Sequence, residues 1–240
     1  MDNRERITLT SRDREIVRWI GRVGVAEARQ VAARWQREHL RREGASRGMP
    51  KSNAYKRLRG LEALGLLERR RLLQGEPAVY LATNDGLHLA GLDLRVRKVS
   101  AGGIAHATES AWLSLELEEE FGEERVITER EIRALDGRTE RPAYAVAAGS
   151  PLPGGRRRLH FPDFALAAPE GGKPLCVELE LTAKGSRRLL EIVRAYVRGR
   201  HVAGVRYYVT GRSERQVREA VAAARADPLV EVRRLEQDRA

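Results

Sequence analysis

The sequence has 240 residues, of which 42% are hydrophobic and 33% are charged, a composition typical of globular proteins. No stretch approaches the roughly 18 consecutive apolar residues of a membrane helix, and no apolar signal core follows Met1. We therefore expect a cytoplasmic protein with no membrane partner. The single cysteine, Cys176, excludes an internal disulfide and a cysteine-based zinc cluster.

The excess of positive charge lies almost entirely in the first 100 residues. That part contains 22 lysines and arginines against 12 acidic residues, a net charge of +10, whereas residues 101–240 have a net charge of +1. Cations that displace the counterions condensed on phosphate gain affinity for nucleic acids. A surface that only keeps the protein soluble would distribute its charge over both halves, so the asymmetry favours a polyanionic partner.

Three helices are predicted in the first 65 residues. The first begins after Thr10, which offers a cap, and glycines at positions 21 and 24 are expected to break it. A second helix is expected from about Val25, and a polar, basic segment at 36–51 follows as a long turn or an extension of that helix. Ser52 is expected to cap the third helix.

The third helix has two distinct faces. Leu58, Leu61 and Leu64 are predicted to point inward, and Gly65 ends the helix. The opposite face is polar and basic, which suits contacts with phosphates and base edges in a DNA major groove. An ordinary solvated helix face has the same pattern, so the elements that follow must decide. The candidate DNA-binding residues of this helix are Ser52, Asn53, Tyr55, Lys56, Arg57 and Arg59.

A β-hairpin is predicted directly after the third helix. Its strands span 66–73 and 78–82, a turn at 74–77 joins them, and a short helix follows at 87–90. The order of three helices and a hairpin makes a solvated face less plausible for the third helix, because a basic hairpin beside it provides a second group of cations.

The run from Leu61 to Arg69, followed by residues 79–83 and Gly86, closely resembles winged-helix proteins. In such folds the third helix enters the major groove and the basic hairpin, or wing, touches the flanking DNA backbone. The resemblance implies a winged helix-turn-helix domain over residues 1–95 that binds double-stranded DNA. The candidate DNA-binding residues of the wing are Arg69, Arg70 and Arg71.

A linker at 92–103 is predicted to lead to a second domain over residues 104–240. Its first helix spans 104–121, and the element order α-β-β-β-α-β-α-β predicts an α/β domain with a mixed sheet covered on both faces. The chain is thus of the α/β class, or α+β overall. Tyr207 and Tyr208 are expected in its core. The remaining predicted strands are 125–128, 158–167, 175–182, 202–209 and 229–235, and the remaining helices are 186–198 and 213–225.

Carboxylates are concentrated on two of these strands. Asp163 lies on the first, and Glu178 and Glu180 share one face of the next because side chains alternate along a strand. If the strands pair, the three carboxylates converge and can bind Mg²⁺ or Mn²⁺, which activates water and stabilises charge on a scissile phosphate. The alternative is a solvated strand face whose carboxylates pair with arginines. The candidate arginines are Arg158, Arg187 and Arg188.

Pro162–Asp163 and Glu178–Glu180 resemble the motif of the PD-(D/E)xK nuclease superfamily, which implies a restriction-endonuclease-like second domain with Asp163 and Glu178 as metal ligands. Glu180 stands where that motif has lysine. A further carboxylate there adds repulsion where lysine would stabilise the attacking nucleophile, so we expect a divergent fold more than an active enzyme. Other candidate catalytic residues are Lys184, for the missing ammonium, and Glu109, for an acidic residue in the preceding helix.

The whole chain is similar to the replication-relaxation family of plasmids and integrative elements, which combines a winged helix with a nuclease-like domain. Besides the hairpin segment, the similarity rests on His106–Glu109, Thr128–Arg133, Phe161–Phe164 and Glu178–Thr182. It implies a role in the replication, relaxation or conjugative mobilisation of mobile DNA, alongside a relaxase or other proteins of the element. A homodimer is compatible with it, since winged helices often bind two half-sites.

Two other functions are compatible with the sequence. One is a Mg²⁺- or Mn²⁺-dependent DNA endonuclease that its winged helix directs to a target. The other is a transcriptional regulator whose second domain senses a ligand or dimerises.

Overall fold

The computed structural model describes residues 9–43, 51–150, 158–182 and 185–235. By their internal contacts the residues form two compact units, Met1–Leu115 and Glu116–Ala240. Helices and strands alternate, and the largest sheet contains both parallel and antiparallel strands, in agreement with the predicted α/β class. No helix within the described ranges is both long and apolar enough to cross a membrane.

The first unit consists of three helices, a β-hairpin and a short helix, followed by most of a longer helix. In its three-stranded sheet, β3 lies between β1 and β2 and is antiparallel to both. The elements are α1 (Ser11–Val23), β1 (Ala26–Glu27), α2 (Ala28–Glu43), α3 (Lys51–Ala63), β2 (Leu67–Arg70), β3 (Val79–Ala82), α4 (Asn84–Leu89) and α5 (Ile104–Phe121).

Helix α1 begins with a capping box and ends at a glycine. The Thr10 hydroxyl accepts the Asp13 N–H, and the Asp13 carboxylate accepts the Thr10 N–H at 2.6 Å. Gly24 ends the helix in the left-handed conformation, with φ of 89°. The prediction that Gly21 also breaks the helix is wrong. A Cβ at Gly21 would lie 2.6 Å from Cδ1 of Leu92, so this glycine lets α1 pack closely against Leu92 and Leu87.

The third helix begins earlier than predicted, at Lys51 and not after the expected cap Ser52. It ends as predicted, because the chain turns at Gly65 with φ of 73° and the Leu66 N–H bonds back to the Leu61 oxygen. Leu64, which was expected to point inward, is 41% exposed. Helical spacing puts it about 90° away from the centre of the buried side. The segment 44–50 lies outside the described residues.

The second unit is organised around a five-stranded sheet of order β10-β9-β8-β7-β4. The pairs β4–β7 and β7–β8 are antiparallel, whereas β8–β9 and β9–β10 are parallel. A separate pair, β5 with β6, is antiparallel. The elements are β4 (Val126–Thr128), α6 (Glu129–Asp136), β5 (Val146–Ala147), β6 (Leu159–His160), β7 (Phe164–Leu166), β8 (Leu175–Glu180), α7 (Ser186–Arg198), β9 (Gly204–Val209), α8 (Glu214–Ala224) and β10 (Val230–Arg234).

Three local predictions in the second unit are wrong. The strand predicted at 158–167 is two strands in different sheets, because Pro162 between them has no N–H for a continuous ladder. Helix α6 was not predicted, although the capping box of Thr128 and Glu131 marks its start. Ser186 does not cap α7, since Gly185 occupies the cap position without a side-chain bond.

Strands β8 and β9 are buried along nearly their whole length. Because successive side chains of a strand point to opposite faces, the centre of the sheet is covered on both faces. On one face, Cys176 and Tyr207 pack in an apolar cluster with Leu189 and Tyr196 of α7. Tyr207 and Tyr208 are both buried, as predicted. Burial also raises the pKa of the Cys176 thiol, which packs as a small core side chain.

A buried carboxylate shapes the chain that follows α6. Asp136, the last residue of that helix, accepts hydrogen bonds from three consecutive backbone N–H groups, those of Ala143, Tyr144 and Ala145, at 2.7 to 2.9 Å. Residues 137–141 between them are exposed. The carboxylate therefore fixes the path into β5 through main-chain atoms alone.

We predict that Gly86→Ala destabilises the first unit. A Cβ at this position would lie 2.1 Å from the backbone oxygen of Leu66, and backbone cannot move aside as a flexible side chain can. The variant should be about 1–3 kcal/mol less stable in urea unfolding. Gly102→Ala is the matched control, because nothing lies within 4 Å of its added methyl group. Equal stability of the two variants would contradict the close approach of α4 to Leu66.

Candidate functional site

Helix α3 buries one side and leaves a continuous polar side exposed. Ala54, Leu58 and Leu61 are fully buried in the first unit. Tyr55 is 47% exposed although it is a large aromatic residue, and the Arg59 side chain is 58% exposed. Arg59 has one nearby carboxylate, Glu62, at 3.3 Å. The exposed candidate DNA-binding residues of α3 are Ser52, Asn53, Tyr55, Lys56 and Arg59.

Arg57 has a different environment from the other candidate residues of α3. Its guanidinium forms two parallel hydrogen bonds with the carboxylate of Asp13, through Nε to Oδ1 and Nη2 to Oδ2. The Arg57 side chain is 29% exposed, and that of Asp13 only 1%. The structure therefore assigns the Arg57 guanidinium to the contact between α3 and α1, and not to the exposed face of α3.

The Asp13–Arg57 ion pair changes the protonation equilibrium of both residues. Burial by itself would raise the pKa of Asp13, but hydrogen bonds from Arg57 and Thr10 outweigh it and lower that pKa. The same hydrogen bond raises the pKa of Arg57. Both groups therefore stay charged over the physiological pH range, and each neutralises the charge of the other.

The β2–β3 hairpin adds exposed cations next to α3. Arg69 and Arg71 are exposed, whereas Arg70 donates two hydrogen bonds to Glu68, from Nε at 2.6 Å and from Nη2 at 2.9 Å. The three candidate arginines of the hairpin are thus not equivalent. Arg69 and Arg71 have no acidic partner in the described part of the chain, so they are the better candidates for contact with an external anion.

In the second unit, Asp163 lies immediately before β7 and extends the pairing of that strand with β8. The last paired residues are Phe164 and Val177, and Oδ2 of Asp163 accepts the N–H of Leu179 at 2.8 Å. Its backbone oxygen accepts the N–H of Glu129 at the start of α6, also at 2.8 Å. Asp163 thus satisfies backbone groups where regular pairing ends.

Glu178 is 3% exposed and lies on the sheet face covered by α7, so the solvated-face alternative is wrong for this residue. Its Oε1 atom is 2.6 Å from Nε2 of His160 and accepts a hydrogen bond from the Tyr196 hydroxyl. The rings of His160 and Tyr196 meet edge to face at 5.9 Å. These three side chains, which we call the Glu178 cluster, join β6, β8 and α7.

Glu180 is equally buried, and it shares its sheet face with Tyr207 of β9. Its backbone oxygen accepts the hydroxyl of Ser213, just before α8. The Tyr207 hydroxyl is buried and has no hydrogen-bond partner among the residues described. Burial, and then the charges of Glu178 and Glu180, raise the pKa of Tyr207 well above 10.

The residues present do not fit a Mg²⁺ or Mn²⁺ centre of the expected kind. One oxygen of Asp163 and one of Glu178 already accept hydrogen bonds from the protein. Within the described ranges, no three or more His, Cys, Asp or Glu side chains are grouped so as to hold a metal ion. The charges of Glu178, Glu180 and Asp163 all act on the Tyr207 hydroxyl, but the three carboxylates are not grouped as metal ligands in the described structure. Glu109 belongs to the first unit, on α5, and Lys184 lies outside the described residues.

Sequence reasoning did not find the partners of these residues. His160 and Tyr196 join Glu178 from elements 18 positions away on either side, and no local pattern connects them. For Asp13, the spacing from Thr10 is that of a capping box, which signals the helix start but not the bond to Arg57, 44 positions away.

Comparison with known proteins adds little to this description. No family model matches the chain, and no curated protein matches it. Among solved structures, an O-methyltransferase family protein from Burkholderia thailandensis aligns over 95% of this chain at 16% identity, with a TM-score of 0.21. The chain spans 65% of the length of that protein. A similarity this low carries no argument about fold or function.

We predict that the Asp13–Arg57 ion pair stabilises the first unit. Arg57→Gln leaves a buried carboxylate uncompensated and should cost about 3 kcal/mol, whereas Arg59→Gln should change stability by less than about 0.5 kcal/mol. All three tryptophans of the chain, at positions 19, 35 and 112, belong to this unit, so their fluorescence during urea unfolding reports on it selectively.

The same ion pair sets a pH dependence with a defined sign. Because the pKa of Asp13 is lowered in the folded state, its contribution is complete above the unfolded value of about 3.9 and is lost as the pH falls through the folded value. The double variant Asp13→Asn, Arg57→Gln should lack this part of the acid-induced destabilisation. An acid profile identical to that of the wild type would show that the ion pair does not form.

We predict that the second unit loses stability above about pH 10, where unfolded tyrosines ionise. Burial and the neighbouring Glu178 raise the pKa of Tyr196 and Tyr207, so stability is complete below that value and is lost as the pH rises toward the folded values. The tyrosinate absorbance contributed by Tyr196 and Tyr207 should therefore rise in one step together with unfolding. Tyr196→Phe should reduce that step, and Tyr55→Phe, which alters an exposed ring, is its control. Independent titration of the buried rings before unfolding would contradict their burial.

Proposed function

We propose that this protein binds double-stranded DNA through its first unit, which acts as a winged helix-turn-helix with α3 as the recognition helix and the β2–β3 hairpin as the wing. The observation that carries the proposal is the exposed polar side of α3, followed directly by a hairpin with exposed Arg69 and Arg71. Such a helix supplies base-edge contacts and such a hairpin supplies backbone contacts.

Two further observations support DNA as the partner. The first 100 residues have a net charge of +10, which gives favourable counterion release on a polyanion. Tyr55 adds an exposed aromatic ring beside Lys56 and Arg59, and its hydroxyl can donate to phosphate or a base edge. Arg57 is excluded from the proposed contacts because Asp13 binds it.

The second unit is proposed to be a divergent nuclease-like domain that serves as a scaffold. Support comes from its strand order, in which two antiparallel pairs are followed by two parallel pairs, and from the position of Asp163, one residue before the pair Phe164–Val177. In this proposal the protein acts in the replication, relaxation or mobilisation of a plasmid or integrative element, together with other proteins of that element.

Metal-dependent cleavage is not part of the proposal. Glu178, the residue that would correspond to a nuclease metal ligand, is engaged by His160 and Tyr196 in the interior of the second unit. Asp163 in turn satisfies the backbone of Leu179. These bonds favour a role in holding the fold together over a role in hydrolysis.

The test is fluorescence anisotropy with labelled duplex DNA over a series of salt concentrations. Replacing Lys56 or Arg59 with Gln should weaken binding and lower the slope of log affinity against log salt by about 1 for each phosphate that the variant no longer neutralises. Lys98→Gln is the charge-matched control, since Lys98 is exposed and lies outside α3 and the hairpin. Equal effects of all three substitutions would contradict a specific role for α3.

Incubation with supercoiled plasmid separates binding from cleavage. With Mg²⁺, with Mn²⁺ and with a chelator, we expect the plasmid to be retarded but not nicked. Nicking that requires a metal and disappears in Glu178→Gln would overturn the scaffold role. Absence of retardation under all three conditions would overturn DNA binding itself.

A further inference from the structure

Helix α7 of the second unit is strongly amphipathic. Its inner residues pack in the apolar cluster over the central sheet, and its outer side is exposed and basic. Residues 186–200 contain five arginines and one acidic residue, although the whole of 101–240 has a net charge of only +1. The packed residues of α7 are Leu189, Ile192, Val193, Ala195 and Tyr196. Residues 186–200 thus have a net charge of +4 within a half of the chain that is nearly neutral.

The five arginines fall into two groups. Arg187 and Arg188 lie 3.4 and 3.8 Å from oxygens of Glu191, which neutralises part of their charge. The other three are exposed, and no carboxylate of the described part of the chain lies within salt-bridge distance of them. We call this group the α7 arginine group; its members are Arg194, Arg198 and Arg200.

Several arginines on α8 and β10 of the same unit form ion pairs with glutamates. On α8, Arg218 pairs with Glu214 at 3.0 Å and Arg215 lies 3.6 Å from Glu219. Arg234 of β10 also pairs with Glu214. Acidic residues therefore accompany these three arginines, in contrast to the α7 arginine group.

The grouping has an energetic cost in the free protein. Arg194 and Arg198 are four residues apart on one helix face, a spacing at which like charges destabilise a helix by about 0.2–0.5 kcal/mol. The helix dipole favours a cation in the last turn, which accounts for Arg198. It does not account for Arg200, which lies beyond the end of the helix, or for the scarcity of acidic residues around the group in the described structure. An external polyanion would relieve the repulsion.

We infer that the α7 arginine group is a second DNA-binding surface, which contacts the phosphate backbone of a duplex independently of base sequence. This inference rests on the proposed function and extends it to the second unit. Guanidinium groups match phosphate oxygens in geometry and stay charged at every physiological pH. Because phosphate contacts position a protein without specifying sequence, the surface adds affinity while specificity stays with α3.

The alternative of an anionic membrane surface conflicts with the packing of α7. A helix that binds a membrane interface inserts its apolar side into the lipid. The apolar side of α7 is occupied by the sheet, and Tyr196 within it is fully buried. Val197 is the one large hydrophobic residue of this helix with substantial exposure in the described structure, too little to insert.

Two attachment points on one chain would also change how the protein holds DNA. When one unit is bound, the other is confined near the same duplex at a high effective concentration, so weak backbone contacts contribute to the total affinity. The protected stretch of DNA should then exceed that of the first unit alone.

The experiment compares two triple variants of the full-length protein in the anisotropy assay. One is Arg194→Gln, Arg198→Gln, Arg200→Gln; the other, Arg215→Gln, Arg218→Gln, Arg234→Gln, removes the same charge from paired arginines. Leaving three phosphates without their cations should lower the salt slope by about 2.7 and the affinity at low salt by roughly tenfold or more, with sequence preference unchanged. The control variant should keep the wild-type slope. A lysine version of the first variant should recover most of the slope, which excludes misfolding as the cause.

The outcomes separate this inference from the proposed function. If substitutions in α3 weaken binding and the α7 variant does not, the second surface is overturned and the proposed function stands. If the α7 variant alone weakens binding, the inference stands and α3 is not the recognition helix. Equally weakened binding in both triple variants would indicate an effect of net charge and overturn the inference. Stronger binding of the wild type to single-stranded RNA of equal length, or to vesicles rich in phosphatidylserine, than to duplex DNA would also overturn it.

Discussion

The ion pair between Asp13 and Arg57 is the interaction on which the proposed DNA-binding surface depends. Asp13 caps the first turn of α1 and also accepts both hydrogen bonds from Arg57 of α3, so one buried carboxylate connects the start of one helix to the middle of another. With Arg57 held inward, the residues left on the outside of α3 are those around Tyr55 and Arg59. The ion pair therefore determines which cations the exposed face of α3 offers, because it removes the Arg57 guanidinium from that face.

The long elements agree best with the sequence-based predictions. Helix α5 spans Ile104–Phe121, the range expected, and the class of the second unit followed from the order of its elements. Short elements were harder to predict from the sequence. Helix α6 was missed because its eight residues follow β4 directly, with no turn signal between the two elements. Strands β6 and β7 were merged because apolar residues recur on both sides of Pro162.

The candidate residues show the limit of local patterns in another way. Arg57 and Arg59 were both predicted to face outward, yet one is bound by a carboxylate 44 positions earlier and the other faces solvent. Helical spacing places Arg57 beside buried Ala54 and Leu61, but it does not reveal the carboxylate that binds it. Glu178 looked like a metal ligand or a solvated side chain and is instead enclosed by His160 and Tyr196. Which of several identical side chains is buried depends on long-range packing, which one sequence without structure does not reveal.

The carboxylate of Asp136 has a consequence for how this protein can vary. It binds the chain at residues 143–145 only through backbone N–H groups, which every residue except proline possesses. The side chains of the exposed residues 138–141 take no part in those hydrogen bonds. Lengthening or recoding 138–141 should therefore leave the entry to β5 unchanged, whereas Gly137 lies against the Arg133 oxygen and Ala145 is buried. An affinity tag or a fluorophore is best inserted within these four exposed residues.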